Sequence, residues 1–219
     1  MSRTVRPVQA QRGMVRALLD AHGRTYADEA GITLRDKPSP LYQLFVLTLL
    51  SSARIGADIA AGSARELFLA GWRTPERMRA ATWRERVDAL GRGGYRRYDE
   101  STSTKLEENA AWLIDEHHGD LRELRPPDGD NEALRAALVQ APRIGAVGAG
   151  IFVREVQQVW PELEPFFDDR ALDEARRLGL PAEPEELAEL TPAGQVPRLA
   201  CALVRSGASR AIHRPRSTR

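Results

Sequence analysis

The stretch Ala141-Pro-Arg-Ile-Gly-Ala-Val-Gly-Ala-Gly-Ile-Phe-Val-Arg154 predicts the end of one helix, a tight glycine turn and the start of a second helix. Gly145 and Gly148 permit positive φ and a close approach of the backbone to a ligand. The first N–H groups of a helix have no partner within it and carry a partial positive charge, so such a turn can hold a phosphate. Short glycine turns also join helices that merely pack together, and the spacing alone is compatible with both interpretations.

A second short stretch, Phe167-Asp-Asp169, places carboxylates just before another predicted helix. An aspartate at this position often caps the helix that follows. A carboxylate held in a sheltered site can instead stabilise positive charge that develops on a sugar ring and can orient a water molecule. Both interpretations apply to Asp168, and they are compatible with each other.

The rest of the chain has helical periodicity almost throughout. The segment 41–54 is nearly all apolar and predicts a buried central helix. Thr82-Trp-Arg-Glu85 fits a capping box, and Asn131 can cap the helix that precedes the glycine turn. No alternating strand pattern of useful length occurs, so the predicted fold class is all-α with many short helices.

The composition narrows the classes of function. The 219 residues carry a net charge of +1, which excludes a wholly basic nucleic-acid binder but not a local basic face. The segment 190–219 contains six arginines and no acidic residue, which predicts either a basic phosphate-facing tail or a plain solvated one. Cys201 is the only cysteine, which excludes a disulfide framework or an all-cysteine metal site within this sequence. The longest apolar run, 44–50, is too short to cross a bilayer, so we expect a soluble cytoplasmic protein without a membrane partner.

Taken in order, the motifs resemble those of the helix-hairpin-helix DNA glycosylase superfamily, most closely its endonuclease III-like branch, over about residues 40–207. The turn at 141–149 resembles that family's Leu-Pro-Gly-Val-Gly-Arg-Lys-Thr-Ala. The segment 167–180 resembles its Val-Asp-Thr-His-Val-x-Arg-Val-Ala-Asn-Arg-Leu-Gly-Leu. Four further segments follow the family's succession of Leu-Leu-Ser, Gly-Tyr, Lys-Ala-x-x-Ile and Gly-x-x-Pro: Leu49-Leu-Ser-Ser-Ala-Arg54, Gly94-Tyr95, Lys105-Leu-Glu-Glu-Asn109 and His117-His-Gly-Asp120.

The resemblance implies a set of site residues. Asp168 falls on the family's catalytic aspartate, with Asp169 as the alternative if the match slips by one position. Arg54 stands where the family often supplies a residue that fills the gap left by a flipped base, although a surface arginine is an equal alternative. Tyr95 follows two glycines and is the aromatic residue that we expect to face a DNA cleft. The hairpin residues expected to hold the phosphate backbone are Arg143, Gly145, Ala146, Val147 and Gly148.

Several residues differ from the family pattern, and each difference predicts a change in chemistry or in bound groups. Val147 occupies the position of the Schiff-base lysine of bifunctional members, so we expect no covalent strand cleavage by β-elimination. Arg143 replaces the first hairpin glycine, which either alters the turn or adds a phosphate contact. The cysteine cluster of many members is missing, so no iron–sulfur centre is expected. The resemblance allows a monovalent cation at the hairpin, and no other metal or cofactor is expected.

The implied architecture has two helical lobes with a DNA-binding cleft between them. A helical barrel lobe spans 34–160 and contains the helix-hairpin-helix at about 134–159, and the second lobe combines 1–33 with 161–219. The implied activity is that of a monomeric, monofunctional DNA glycosylase, which flips a damaged or mispaired base out of double-stranded DNA and hydrolyses its bond to the sugar. Two alternatives stay open: an abasic-site lyase that uses an unexpected amine, and a catalytically silent binder of distorted DNA.

Overall fold

A computed structural model describes residues 7–53 and 55–213. Within these residues the chain is helical and has no β-strand, which confirms the predicted all-α class. Two short 3₁₀ helices, Leu121–Leu124 and Pro161–Leu163, accompany the α-helices. In chain order the α-helices are α1 (Val8–His22), α2 (Tyr26–Glu29), α3 (Pro38–Ser51), α4 (Ala57–Leu69), α5 (Pro75–Ala80), α6 (Trp83–Arg92), α7 (Asp99–His117), α8 (Asn131–Leu138), α9 (Ala146–Val156), α10 (Asp169–Leu178), α11 (Pro184–Leu190) and α12 (Val196–His213).

The chain divides into two compact units. The hairpin unit is Tyr26–Leu163, and the terminal unit combines Met1–Thr25 with Glu164–Arg219. The hairpin unit therefore encloses the segment 34–160 that the sequence assigned to one lobe, and it adds residues 26–33 and 161–163.

The hairpin unit is built around α3, which is apolar on all sides. Its buried side chains include Leu41, Leu44, Phe45 and Leu50, so the helix has no face left for water. It begins at Pro38, three residues before the predicted apolar segment, because prolines in the first turn remove N–H groups that would have no helical partner anyway. The helices α4 and α9 pack directly against α3, while α5 and α6 pack against α7.

A buried carboxylate fixes the beginning of the hairpin unit. Glu155, which is 1% exposed near the end of α9, accepts hydrogen bonds from the backbone N–H groups of Tyr26 at 3.2 Å and Ala27 at 3.1 Å. These are N–H groups at the start of α2 that have no acceptor within that short helix. The neighbouring Arg154 lies over the Tyr26 ring, 5.2 Å from its centroid. The two contacts explain why residues 26–33 belong to this unit.

The terminal unit has its own apolar core. Helix α12 packs against α1 and α10, and α11 packs against α1. Their apolar stripes meet in one cluster, which includes Val15, Leu19, Phe167, Leu187 and Leu199. Among the described helices of either unit, none combines the length and the hydrophobicity that crossing a membrane requires.

Candidate nucleic-acid interface

The glycine turn begins with a tight reversal of the backbone. The N–H of Ile144 donates to the carbonyl of Ala141 at 3.1 Å, with Pro142 and Arg143 as the two central residues. Pro142 suits the first central position because its ring fixes φ near −65°. Arg143 has φ of 65°, in the left-handed region that turns with this pattern usually fill with glycine. Arg143 thus adopts the conformation that glycine favours, at some conformational cost, and the turn keeps its form. The alternative, a phosphate contact from Arg143, stays a prediction.

The start of α9 presents unused donors. Gly145 is its N-cap residue, and the first helical hydrogen bond runs from the N–H of Ala149 to the carbonyl of Gly145 at 3.0 Å. The N–H groups of Ala146, Val147 and Gly148 consequently have no acceptor within the described residues. Gly145, Ala146 and Val147 are exposed, and Val147 is 51% exposed. Backbone donors without an acceptor at a positive helix end, beside residues that are exposed to solvent, form an anion-binding arrangement.

The two hairpin glycines, Gly145 and Gly148, have different surroundings. A Cβ atom at Gly148 would lie in ordinary contact with its neighbours, 3.4 Å from Ile144 Cγ2 and 3.6 Å from Thr48 Cγ2, so this buried position faces α3 and leaves little room beyond a methyl group. A Cβ atom at Gly145 would meet no atom within 4 Å, and the φ of Gly145 is −101°, which any residue adopts. Packing and backbone conformation therefore do not require glycine at 145, whereas a ligand that approaches the backbone closely would.

The charge around the turn favours an anion. No acidic residue lies in the first turn of α9. The Arg143 guanidinium is exposed and pairs with Glu108 on α7, with 3.4 Å between Nε and Oε2. An exposed pair of this length is weak, since both groups remain solvated. A phosphate can therefore compete with Glu108 for Arg143 at little cost.

A side chain that the sequence analysis did not single out anchors the turn. Asn109, next to Glu108 on α7, is 3% exposed, and its Nδ2 donates to the carbonyl of Pro142. The contact joins residues 33 positions apart. The only signal in the sequence was a polar residue on the apolar stripe of α7, where the family pattern has isoleucine.

Asp168 is the N-cap of α10. Its Oδ1 accepts from the N–H of Ala171 at 3.0 Å, and its φ and ψ of −70° and 166° are extended, as an N-cap requires. The side chain is half-buried, whereas Asp169, the first residue of the helix, is exposed. The predicted capping role of Asp168 is therefore present. The helix ends at Gly179, whose φ of 74° lies in the left-handed region that glycine favours.

The two remaining candidates from the sequence are Arg54 and Tyr95. Arg54 lies outside the described residues. Tyr95 is 1% exposed, and its hydroxyl donates to the carbonyl of Leu50 at 3.3 Å. The φ of 91° at Gly94 turns the chain so that the ring enters the core, and burial raises the pKa of the Tyr95 hydroxyl. The structure thus corrects the expectation of a cleft-facing ring: Tyr95 is a core residue in this conformation.

Metal-ligating side chains are not clustered in the part of the chain that the structure describes. No three histidine, cysteine, aspartate or glutamate side chains there are grouped closely enough to hold an ion. His117 and His118, at the end of α7, both face Glu123, with Nδ1 of His118 3.0 Å from Oε1. This is a pairing of helix-end side chains with one carboxylate.

Comparisons with known proteins relate the chain to solved structures. No protein-family model matches the sequence. No curated protein matches it significantly either. A chain from a trapped endonuclease III–DNA covalent intermediate, an estranged-adenine complex, superimposes with a TM-score of 0.56 at 17% identity, over 98% of this chain and 91% of that chain. A chain from a non-covalent endonuclease III–DNA complex superimposes with a TM-score of 0.57 at 16% identity, over 91% and 85% of the two chains. The chain therefore adopts the all-α fold of endonuclease III.

Proposed function

We propose that this protein is a DNA glycosylase that removes a damaged or mispaired base and leaves an abasic site without cutting the strand. The observation that carries the proposal is the hairpin start of α9, where the N–H groups of Ala146, Val147 and Gly148 have no acceptor within the described residues and where Gly145, Ala146 and Val147 are exposed. The fold supports the choice of ligand, because both endonuclease III structures to which the chain is similar contain DNA. A DNA phosphate fits donors of this number and direction.

In the proposed reaction, the hairpin holds the sugar-phosphate backbone while the target nucleotide rotates out of the duplex. Rotation costs a few kcal/mol and is easiest for a base whose pairing is already weakened. Asp168 then stabilises the positive charge that develops on the sugar ring as the bond to the base breaks, and it orients the attacking water. Water supplies the oxygen at C1′, so no covalent intermediate with the protein is needed.

The absence of strand cleavage follows from the residue at 147. Formation of a Schiff base with the opened sugar requires a primary amine, and Val147 has none. The sequence contains only two lysines, Lys37 and Lys105, and neither belongs to the hairpin. An abasic-site lyase would have to use one of these amines or the chain's N-terminus.

The decisive experiment is a panel of duplexes that each carry one damaged or mismatched base, incubated with excess protein and assayed for free base and for alkali-labile sites. We expect release from at least one duplex, with strand breaks only after alkali treatment. Breaks without alkali, together with a borohydride-trapped adduct, would favour the lyase. A Gly145→Val variant should release base far more slowly because its side chain occupies the open space at the phosphate donors. A Cβ atom at this position would meet nothing within 4 Å, so we expect the variant to fold, which urea unfolding checks.

A second candidate function is favoured by one observation. Because Asp168 already serves as the N-cap of α10, its presence is explained without catalysis, and the protein would then only recognise distorted DNA. Tight binding to a duplex with an abasic-site analogue, with no base released from any duplex in the panel, would favour this silent binder.

A further inference from the structure

The conformation of Arg143 poses a physical problem. Its φ of 65° is readily adopted by glycine, but in any residue with a Cβ it crowds the side chain against the backbone. The turn from Ala141 to Ile144 contains one backbone hydrogen bond of 3.1 Å. An exposed arginine held in this conformation needs a restraint from elsewhere in the fold, because surrounding structure must hold such residues in place.

Helix α7 supplies that restraint. The Nδ2 of Asn109 donates to the carbonyl of Pro142, the residue directly before Arg143. Because Pro142 offers an acceptor, the nitrogen of the amide must face it, so the orientation of Asn109 is fixed by chemistry. The Asn109 side chain is buried, with 3% of its surface exposed. Its helix, α7, packs against α3, α5 and α6.

The other end of the same amide shows that the contact is retained despite a penalty. Asn109 Oδ1 is buried and has no hydrogen-bond partner among the described residues. A buried acceptor without a donor destabilises a fold, and an apolar side chain of the same size would avoid this penalty. The gain that offsets it must come from the Pro142 contact.

Two departures from the family pattern lie at the two ends of this one contact. The pattern has isoleucine where Asn109 stands and glycine where Arg143 stands. A glycine would adopt the turn unaided, and an isoleucine could not bind a carbonyl. The chain thus combines a residue that needs a restraint with a residue that provides it.

We propose that Asn109 is a positioning residue of the hairpin, which holds the turn at Arg143 in the conformation that directs the α9 donors toward a phosphate. This inference rests on the proposed function for its DNA measurement, while its structural part can be measured without DNA. The proposal treats Asn109 and Arg143 as a coupled pair, so the effect of removing the amide must depend on the residue at 143.

The test is a double-mutant cycle with Asn109→Leu, Arg143→Gly and the two combined, using a duplex that contains an abasic-site analogue. We expect Asn109→Leu to weaken binding about tenfold when Arg143 is present, because the free energy of one hydrogen bond corresponds to about a tenfold change in affinity. In the Arg143→Gly background the same change should weaken binding by less than about twofold, because glycine holds the turn without help. Equal losses in both backgrounds, or no loss, would overturn the proposal.

Asn131 offers a matched control. Its Nδ2 also donates to a backbone carbonyl, that of Leu163, at 3.1 Å, and its Oδ1 is also buried without a partner among the described residues. Asn131→Leu therefore removes the same kind of contact elsewhere in the hairpin unit and should leave DNA binding unchanged. Should Asn109→Leu prevent folding, as monitored by urea unfolding, Asn109→Ala tests the same point because it cannot overfill the site.

Amide hydrogen exchange gives a measurement that does not depend on DNA. The N–H of Ile144, which closes the turn, should exchange about tenfold faster in Asn109→Leu than in the wild type, and no faster in Asn131→Leu. If the wild type fails to bind the abasic duplex, the proposed function fails, but faster exchange still supports the restraint. Unchanged exchange in Asn109→Leu, or faster exchange with unchanged DNA binding, would contradict the positioning role.

Discussion

Replacement of Asp168 by asparagine separates its two roles. The side chain caps α10 through a 3.0 Å hydrogen bond from the Ala171 N–H to Oδ1, and the amide oxygen of asparagine can accept the same bond. Asparagine and aspartate are about equally good N-caps. The substitution removes the negative charge and leaves the cap, so a fold defect and a catalytic defect are no longer confounded.

The effects expected on stability and on the rate of base release differ enough to separate capping from catalysis. Loss of a charge at the N-terminus of α10 should lower the free energy of unfolding by about 0.3–1 kcal/mol, the usual strength of that interaction. Asp168→Ala removes the cap as well and should cost about 1 kcal/mol in addition. Loss of a group that stabilises charge in the transition state should slow base release about 100- to 1,000-fold. An effect of that size cannot come from partial unfolding of a variant that has lost 1 kcal/mol or less.

The assay is single-turnover base release from the duplex that the wild type processes best, with urea unfolding measured on the same preparations. Asp169→Asn is the matched control, because Asp169 is exposed, sits one residue later and carries the same charge. It should release base at nearly the wild-type rate. A group that stabilises the transition state should cause a much larger loss than about threefold when it is removed. If Asp168→Asn releases base at a rate within about threefold of the wild-type rate, the catalytic assignment is refuted. A large loss in Asp169→Asn alone would move the assignment to that residue.

Three further outcomes are expected. A Gly93→Ala variant should lose about 1–3 kcal/mol or more in urea unfolding, because its Cβ would lie 2.3 Å from Ser63 Cα; Gly91→Ala, which meets nothing within 4 Å, should instead gain about 0.5–1 kcal/mol. Val147→Lys should form a borohydride-trapped adduct with abasic DNA that the wild type does not form, because a half-exposed side chain can place an amine at the hairpin; no adduct would contradict the assignment of this position. Hydrogen bonds from the capping-box threonine lower the pKa of Glu85 below 4.5, so its stabilising charge is present above that pH and is lost as the pH falls through the lower folded value. Thermal unfolding of Glu85→Gln should therefore depend less on pH below 4.5 than that of the wild type, and equal pH dependence would count against this cause.

The local features of the fold were predictable because their physics is local. Thr82 and Glu85 form the capping box that their spacing predicts, with the Glu85 carboxylate accepting from the Thr82 N–H at 2.8 Å. The start of the helix before the glycine turn was predicted less well: Asp130, not Asn131, caps α8, and it accepts from the N–H groups of Glu132 and Ala133. Two adjacent residues with equal capping ability leave the boundary uncertain by one position.

The features that could not be predicted from the sequence depend on contacts between residues far apart in the chain. Tyr95 has the right neighbours for an exposed loop, yet its hydroxyl reaches the carbonyl of Leu50, 45 residues away, and the ring is buried. Asn109 appeared only as the last residue of the motif that begins at Lys105, and its partner Pro142 lies 33 residues away. The hairpin donors could be predicted because a helix start exposes them whatever surrounds it, whereas the groups that hold the turn depend on which helix packs beside it.

Helix α9 has one end open to solvent and the other fixed by the buried Glu155, which holds the N–H groups of Tyr26 and Ala27. Besides the packing of Gly148 near Thr48 of α3, interactions more than about a dozen ångströms away along the helix therefore resist a tilt of the exposed end. In a random mutagenesis screen, substitutions at residues that never meet the ligand would be scored among the binding-defective variants. Under the proposed function, a map of the positions at which substitution weakens DNA binding would include the residues that hold α9 in place as well as those that contact DNA.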